Sequence, residues 1–245
     1  MRCSTYGRPL SINADFANEL QWWDRELGLD GDYPEAIKYR LIADRPNPHY
    51  PHDVTPLLEE AAQRLGRLPK LLDLGSGPLS MLAWGHHAGH FELTAVDPLA
   101  NDYTEALMRH GHSQTSPILQ GYGESLDDLF APDTFDFVWT HNALDHTQYP
   151  RVVMEQISRV LAPGGNLLLQ GWSREATSAG FVGLHRHDLY LAPGPVLMCD
   201  TYTGEGTRLH TTWLDYGLPL DVVTASEPTP EAHKWIRVLY RKAAH

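Results

Sequence analysis

The run Lys70-Leu71-Leu72-Asp73-Leu74-Gly75-Ser76-Gly77-Pro78 constrains this chain more than any other feature. A short apolar run reads as a buried strand, stops at two glycines, and leads into a segment with helical signals. Glycines at such a turn let the backbone come close to a ligand and take dihedrals closed to other residues. In an open α/β sheet that turn lies at the crevice beyond the carboxyl ends of parallel strands, where ligands bind.

The rhythm continues downstream. Leu79 to Ala88 predicts a helix, FELTAVDP a second strand, Asp102 to His110 a helix and Ser116 to Gln120 a brief third strand. FDFVWTHN predicts a fourth strand, Arg151 to Val160 a helix and GGNLLLQGW a fifth strand. Strands alternating with helices at this spacing imply a parallel sheet with right-handed crossovers. LDVVTAS and WIRVLYRK close the chain as an antiparallel pair, after a short helix expected over Thr211 to Tyr216.

Two regions depart from this rhythm. Residues 1–54 predict a helical cap, with a helix from Asn13 to Leu27 carrying Phe16, Leu20, Trp23 and Leu27 on one face. Residues 44–56 hold four prolines and read as a linker. Val54 to Leu65 then predicts a helix with Thr55 as N-cap, Pro56 at its first position and Gly66 past its end. Residues 181–210 carry two turn signals, Pro193-Gly194-Pro195 and Gly204-Glu205-Gly206, between β-prone runs. They predict a hairpin or meander inserted after strand five.

The glycine turn narrows the ligand. A dinucleotide fingerprint needs a third glycine where Ser80 stands, and no G-K-[ST] follows for a P-loop. Asp73 stands two residues before Gly75, and a carboxylate at that mouth suits a cation such as S-adenosylmethionine better than a pyrophosphate. Asp97, before Pro98, ends the second strand 24 residues after Asp73. That is where an acid binds the two hydroxyls of a ribose.

On these residues the sequence resembles the class I S-adenosylmethionine-dependent methyltransferases over roughly residues 55–175. LDLGSGP looks like that family's first motif and AVDP its ribose-binding motif. GYGESL (121–126) looks like its adenine-contacting segment, FDFVWTHNALDH (135–146) its fourth-strand motif, and RVLAPGGNLLLQ (159–170) its turn into strand five. The resemblance implies a Rossmann-like, mainly parallel seven-stranded α/β sheet over 55–245. It implies S-adenosylmethionine as cofactor, held by Asp73, Gly75, Ser76, Gly77, Pro78, Asp97 and Pro98. Gly123 and Glu124 would meet the adenine, and Thr140, His141 and Asn142 the methionine end. One departure is Tyr122, which replaces an acid many relatives carry there; Glu124, a backbone carbonyl or ring stacking would take over its contact.

Fourteen histidines offer candidate bases. His86 and His87 read as solvated surface residues. His141, Asp145 and His146 bracket the loop that faces the transferred methyl in this fold. His185, His187 and Asp188 open the insertion, where alternate strand residues share a face. The catalytic expectation is that His146, His185 or His187 takes the acceptor's proton, since neutral imidazole is a suitable base near pH 7. No metal is expected, because neither a cysteine spacing nor an H-E-x-x-H helix supports His185-x-His187-Asp188 as ligands.

Composition bounds the partners. Nineteen basic against 31 acidic residues give a net charge of −12, which repels a nucleic-acid backbone. Two cysteines, Cys3 and Cys199, make no disulfide framework. With no secretory signal, spanning run or lipid-anchor motif visible, the expectation is a cytoplasmic protein away from membranes. The reading is methyl transfer to a small-molecule nucleophile, with a homodimer left open. The N-terminal aromatics Trp22, Trp23, Tyr33, Tyr39 and Tyr50 would lid the cofactor, Arg40 or Arg45 would hold a carboxylate, and the insertion would form a wall of the acceptor pocket. The alternatives are a non-methylating enzyme using the same cofactor, or a non-catalytic cofactor-binding subunit.

Overall fold

Buried leucines on both faces of one strand set the architecture. In β1 (Lys70–Leu74), Leu71 points to one side of the sheet and Leu72 and Leu74 to the other, and all three are buried. A strand apolar on both faces needs cover on both sides, which parallel βαβ crossovers supply. The computed structural model describes residues 14–226 and 234–244. Asn13 and Cys3 lie outside the described residues.

In chain order, α1 (Ala14–Leu27), α2 (Pro34–Arg40) and α3 (Thr55–Leu65) precede β1. Next come α4 (Ala83–His87), β2 (Glu92–Asp97), α5 (Ala100–Arg109), β3 (Ile118–Gln120) and β4 (Phe135–His141). Short 3-10 turns at Gly123–Asp128 and Leu144–His146 flank β4. Then follow α6 (Pro150–Val160), β5 (Leu161–Trp172) and α7 (Glu175–Ser178). The insertion is β6 (His187–Ala192), β7 (Val196–Tyr202) and β8 (Arg208–Trp213), and β9 (Leu220–Ser226) and β10 (Trp235–Lys242) end the chain. The seven-stranded sheet runs β3-β2-β1-β4-β5-β10-β9. Its first five strands are parallel, and β10 lies antiparallel to both β5 and β9. The expected α/β class and mainly parallel sheet are observed.

One core lies between the sheet and α6, where Leu72, Val138, Leu167 and Leu169 meet Val153, Met154 and Ile157. The other lies on the opposite face, where Leu71, Phe137, Trp139 and Leu168 meet Leu58 of α3 and Tyr50. Each fully buried side chain of this kind contributes about 1.5–3 kcal/mol. The N-terminal helices form a third cluster, in which Leu27 and Ile37 pack with Leu79, Ala106 and Leu107. Asp24 ties α1 to α5 through Arg109 at 2.7 Å. Among the described residues no helix is long and apolar enough to cross a bilayer.

Several expected elements differ. Thr211 to Tyr216 is not a helix: Thr211, Thr212 and Trp213 pair with Asp200, Cys199 and Met198 as part of β8. Two β-branched residues and an aromatic suit that sheet edge. The insertion is therefore a three-stranded antiparallel sheet reaching Trp213, longer than the expected 181–210. The helix expected from Leu79 shrinks to Ala83–His87. Ser80 Oγ donates to Asp73 Oδ2 at 2.6 Å and accepts Leu82 N at 3.1 Å, and such side-chain bonds compete with a helix's first turn. Val54, not Thr55, holds the N-cap position of α3, while Gly66 ends it in the left-handed conformation as expected. α2 lies in the region read only as part of a cap.

Asp136 at the start of β4 binds the segment before β1. Its buried carboxylate accepts Arg67 Nη1 at 2.7 Å, Arg67 Nη2 at 3.0 Å and Lys70 N at 2.8 Å. Asp136→Ala leaves these donors without their acceptor and is expected to cost about 1–3 kcal/mol. Urea unfolding should show a lower midpoint at unchanged slope; an unchanged midpoint would refute that role.

Candidate functional site

The turn after β1 is held by the acid that ends β2. Asp97 Oδ2 accepts Gly77 N at 3.0 Å, and Asp97 Oδ1 accepts Leu99 N at 2.9 Å. Gly75 N donates to Val96 O at 2.9 Å. Gly75 and Gly77 have φ of +76° and +61°, which L side chains rarely adopt. A Cβ on Gly75 would collide with Ala143, and one on Gly77 would lie 2.8 Å from the ring of Trp23 in α1. The turn is thus closed over by the loop after β4 and by the N-terminal helix.

This floor carries buried charge. Asp73 is 2% exposed. Burial pushes its carboxyl up to about 7; the Ser80 bond opposes this, the nearby Asp97 adds to it, and Arg40 opposes it. Burial likewise pushes Asp97 up to about 6, against the Leu99 and Gly77 amides. Arg40, from α2, has a buried Nε with no hydrogen-bond partner. Burial lowers its guanidinium to about 10, against the pull of Asp73 and Glu26. Two carboxylates and one incompletely satisfied guanidinium share one enclosure.

That enclosure is a cavity of about 820 Å³. Of the expected cofactor residues, Asp73, Gly75, Ser76, Gly77, Asp97 and Pro98 line it. So do Gly123, Glu124, Thr140, His141 and Asn142. Pro78 does not. Glu124 Oε1 accepts Gln148 N at 2.8 Å and Tyr149 N at 3.1 Å, so this carboxylate also fixes the segment entering α6. His141 is wedged between Trp139 and Trp235, with ring centroids 4.9 and 4.8 Å away. Burial, helped by Arg40, lowers it to about 4, so it is neutral at pH 7. Asn142 has φ +51°, its N donating to Gln170 O and its Oδ1 accepting Trp172 N.

Two of the three candidate bases, His146 and His185, share one cluster, and His187 stands apart. His146 lines the cavity; its Nε2 lies 3.2 Å from His185 Nδ1. Asp145 Oδ2 lies 3.4 Å from the former and 3.5 Å from the latter. Burial opposes the charged form of His146, but Asp145 and the carboxylates of Glu19, Glu175 and Asp97 raise it. His185 precedes β6 and does not itself line the cavity, whereas His187 opens β6 and does. His187 Nδ1 is 3.0 Å from Thr201 Oγ1, and burial lowers this ring to about 4. Asp188 is committed to α7, accepting Thr177 N at 2.9 Å.

The N-terminal region and the insertion both reach the cavity. Trp22, Trp23, Tyr33 and Arg40 line it from one, and Arg186, His187, Thr201 and Tyr202 from the other. Arg45 does not; its guanidinium lies over the Tyr39 ring. Glu19 and Trp235 are among the lining residues that no motif announced. Glu19, on α1, accepts Trp23 Nε1 at 2.9 Å, and Trp235 enters from β10. Helical spacing placed Trp23 but gave no weight to Glu19 four residues earlier.

Comparison with known proteins agrees with this geometry. A family described as "Methyltransferase domain" matches residues 72–169. The thiol S-methyltransferase TMT1B of Mus musculus is 32% identical over 113 residues, 45% of this chain and 44% of that protein. Its Rattus norvegicus counterpart is 28% identical over 172 residues, 69% of this chain and 66% of that protein. The chain thus aligns with less than two thirds of either relative's length. Among solved structures, a chain of the Haloferax volcanii complex between the Trm112 methyltransferase activator and a putative methyltransferase shares the fold. Its TM-score is 0.50 at 13% identity, over 93% of this chain and 97% of that one. Strand order, glycine turn and domain match converge: residues 72–169 match the methyltransferase-domain family, set in a seven-stranded sheet of the corresponding fold.

Proposed function

We propose that this protein transfers a methyl group from S-adenosylmethionine to a small-molecule nucleophile by direct in-line displacement. The observation that carries the reading is the cavity floor, where Asp97 and the glycine turn sit beside Asp73 and an Arg40 Nε that lacks a partner. These groups fit a ligand with a ribose, a cationic centre and an amino-acid end. Asp97 would hold the ribose hydroxyls, and Gly75, Ser76 and Gly77 allow close approach. Asp73 and the backbone at Thr140 to Asn142 would take the ammonium, Arg40 the carboxylate, and Gly123-Glu124 the adenine. Bound there, the cofactor supplies an electrophilic methyl on a sulfonium.

The chain's own part is to position the acceptor and exclude water. Trp22, Trp23 and Tyr33 of the N-terminal helical region act as a lid, and the insertion forms the acceptor wall. The acceptor loses its proton at the part of the wall carrying His146, with His185 and Asp145 behind it, while His187 positions the insertion. Thiols are the first acceptors to assay, because both curated relatives are named for that reaction. The acidic net charge supports a small molecule over a nucleic acid. The buried free thiol of Cys199 suits a reducing, cytoplasmic setting.

Three outcomes are expected. S-adenosylhomocysteine raises the melting temperature, and Asp97→Ala weakens its binding by about 1–3 kcal/mol in calorimetry; unchanged affinity would remove Asp97 from the site. Arg40→Gln weakens S-adenosylhomocysteine but leaves 5′-methylthioadenosine, which lacks the amino-acid end, nearly unaffected. An equal loss for both would place Arg40 elsewhere.

The third outcome is a pH dependence. Asp73 and Asp97 are pushed above their unfolded values, to about 7 and about 6. The ligand-free protein therefore loses stability as pH rises through that window, and a cationic ligand favours the ionised forms. Affinity for S-adenosylmethionine should fall as pH is lowered from 7.5 to 5.5, and Asp73→Asn should flatten the profile. A flat profile in the unaltered protein would contradict the electrostatic role.

A further inference from the structure

The cluster behind the acceptor wall has a geometry that proton transfer alone does not explain. Its three atoms, Asp145 Oδ2, His146 Nε2 and His185 Nδ1, form a nearly equilateral triangle with edges of 3.2, 3.4 and 3.5 Å. In a carboxylate–imidazole relay, the carboxylate would accept one ring N–H at about 2.7–2.9 Å. Here Asp145 Oδ2 is buried, stands 3.4 and 3.5 Å from the two ring nitrogens, and makes no hydrogen bond of ordinary length to either. A buried carboxylate oxygen left so is costly.

We propose that Asp145, His146 and His185 are a binding site for one divalent first-row cation, best matched by Zn2+. Zinc bonds of about 2.0–2.1 Å in tetrahedral geometry set neighbouring ligand atoms about 3.3 Å apart, the size of this triangle. A cation above its centre would give the buried oxygen a full partner and replace the 3.2 Å hydrogen bond between the two rings. Two imidazoles and one carboxylate suit a borderline ion, not Mg2+ or Ca2+, which prefer all-oxygen shells.

The ligands come from two distant segments. Asp145 and His146 sit in the 3-10 turn after β4, and His185 in the turn before β6. The neighbouring residues are committed elsewhere: His187 to Thr201 and Asp188 to Thr177. His185 alone of that run is delivered to the cluster. The set considered from sequence, His185-x-His187-Asp188, is thus replaced by one that only the fold assembles.

Three protein ligands leave a fourth position, the arrangement of catalytic zinc sites. Of the three, only His146 lines the cavity, so the cation site adjoins the acceptor space from behind its wall. The cation site does not rest on the methyl-transfer reading.

The test uses the full chain, stripped with a chelator and titrated with Zn2+ alone against a chromophoric competitor, and with Co2+ for its visible spectrum. The expected result is one Zn2+ per chain and the intense d–d bands of four-coordinate Co2+. Asp145→Asn and His185→Ala should each weaken Zn2+ at least 100-fold, while S-adenosylhomocysteine still raises their melting temperature and so shows them folded. Absence of stoichiometric uptake by the unaltered protein would overturn the site, as would uptake retained in both variants, which would place the ion on other histidines. The Co2+ spectrum decides without any variant: six-coordinate, weak bands would also overturn it. Failure of S-adenosylhomocysteine to bind would instead overturn the cofactor reading and leave the metal result standing.

Discussion

The grip of the Asp97 carboxylate on the amides of Gly77 and Leu99 is the interaction on which the rest of the site depends. It joins the ends of β1 and β2, neighbours in the parallel sheet, and fixes the turn between β1 and α4. A charge-assisted bond of this kind is stronger than a neutral one and holds a loop to a set geometry. Gly75 and Gly77 are required by the same geometry, since both take positive φ and both face a close neighbour. Trp23 stacks on the space a side chain at Gly77 would fill, so the N-terminal helix can close over the turn only because that residue is glycine.

The arrangement concentrates unfavourable burial in one place. Asp73 and Asp97 are both buried, repel one another, and are pushed upward. Arg40 is brought to them from α2 with its own charge partly desolvated. Such strain is tolerated where a ligand relieves it, and perturbed groups gather at functional sites for that reason. Elsewhere the two faces of the sheet are covered by buried apolar clusters.

The insertion shows how an addition to the scaffold is fixed in place. Leu189, Leu197 and Cys199 bury themselves in the same cluster as α6 and the central strands, so the three-stranded sheet is anchored to the main core. That anchoring fixes where its first residues fall. His187 turns inward to Thr201, and His185, just outside the strand, meets His146 and Asp145 from the loop after β4. Two residues of separation in sequence thus lead to two different environments, because the strand begins between them.

Local rules made much of this legible in the sequence. Apolar runs ending in glycine, the acid before Pro98 and the helical periodicity of residues 151–160 each express a preference satisfied within a few residues, so the alternating sheet and the glycine turn could be read directly. The errors arose where a distant partner outweighed local preference. Thr211 to Trp213 joined a strand because β7 offered an edge to pair with, and the helix after the glycine turn shortened because Ser80 reached back to Asp73. What only tertiary structure decided is which polar groups share a space. Arg40 meets Asp73 across 33 positions, and Asp145 and His146 meet His185 across about 40. No periodicity links such pairs; the packing of separate elements onto one sheet brings them together.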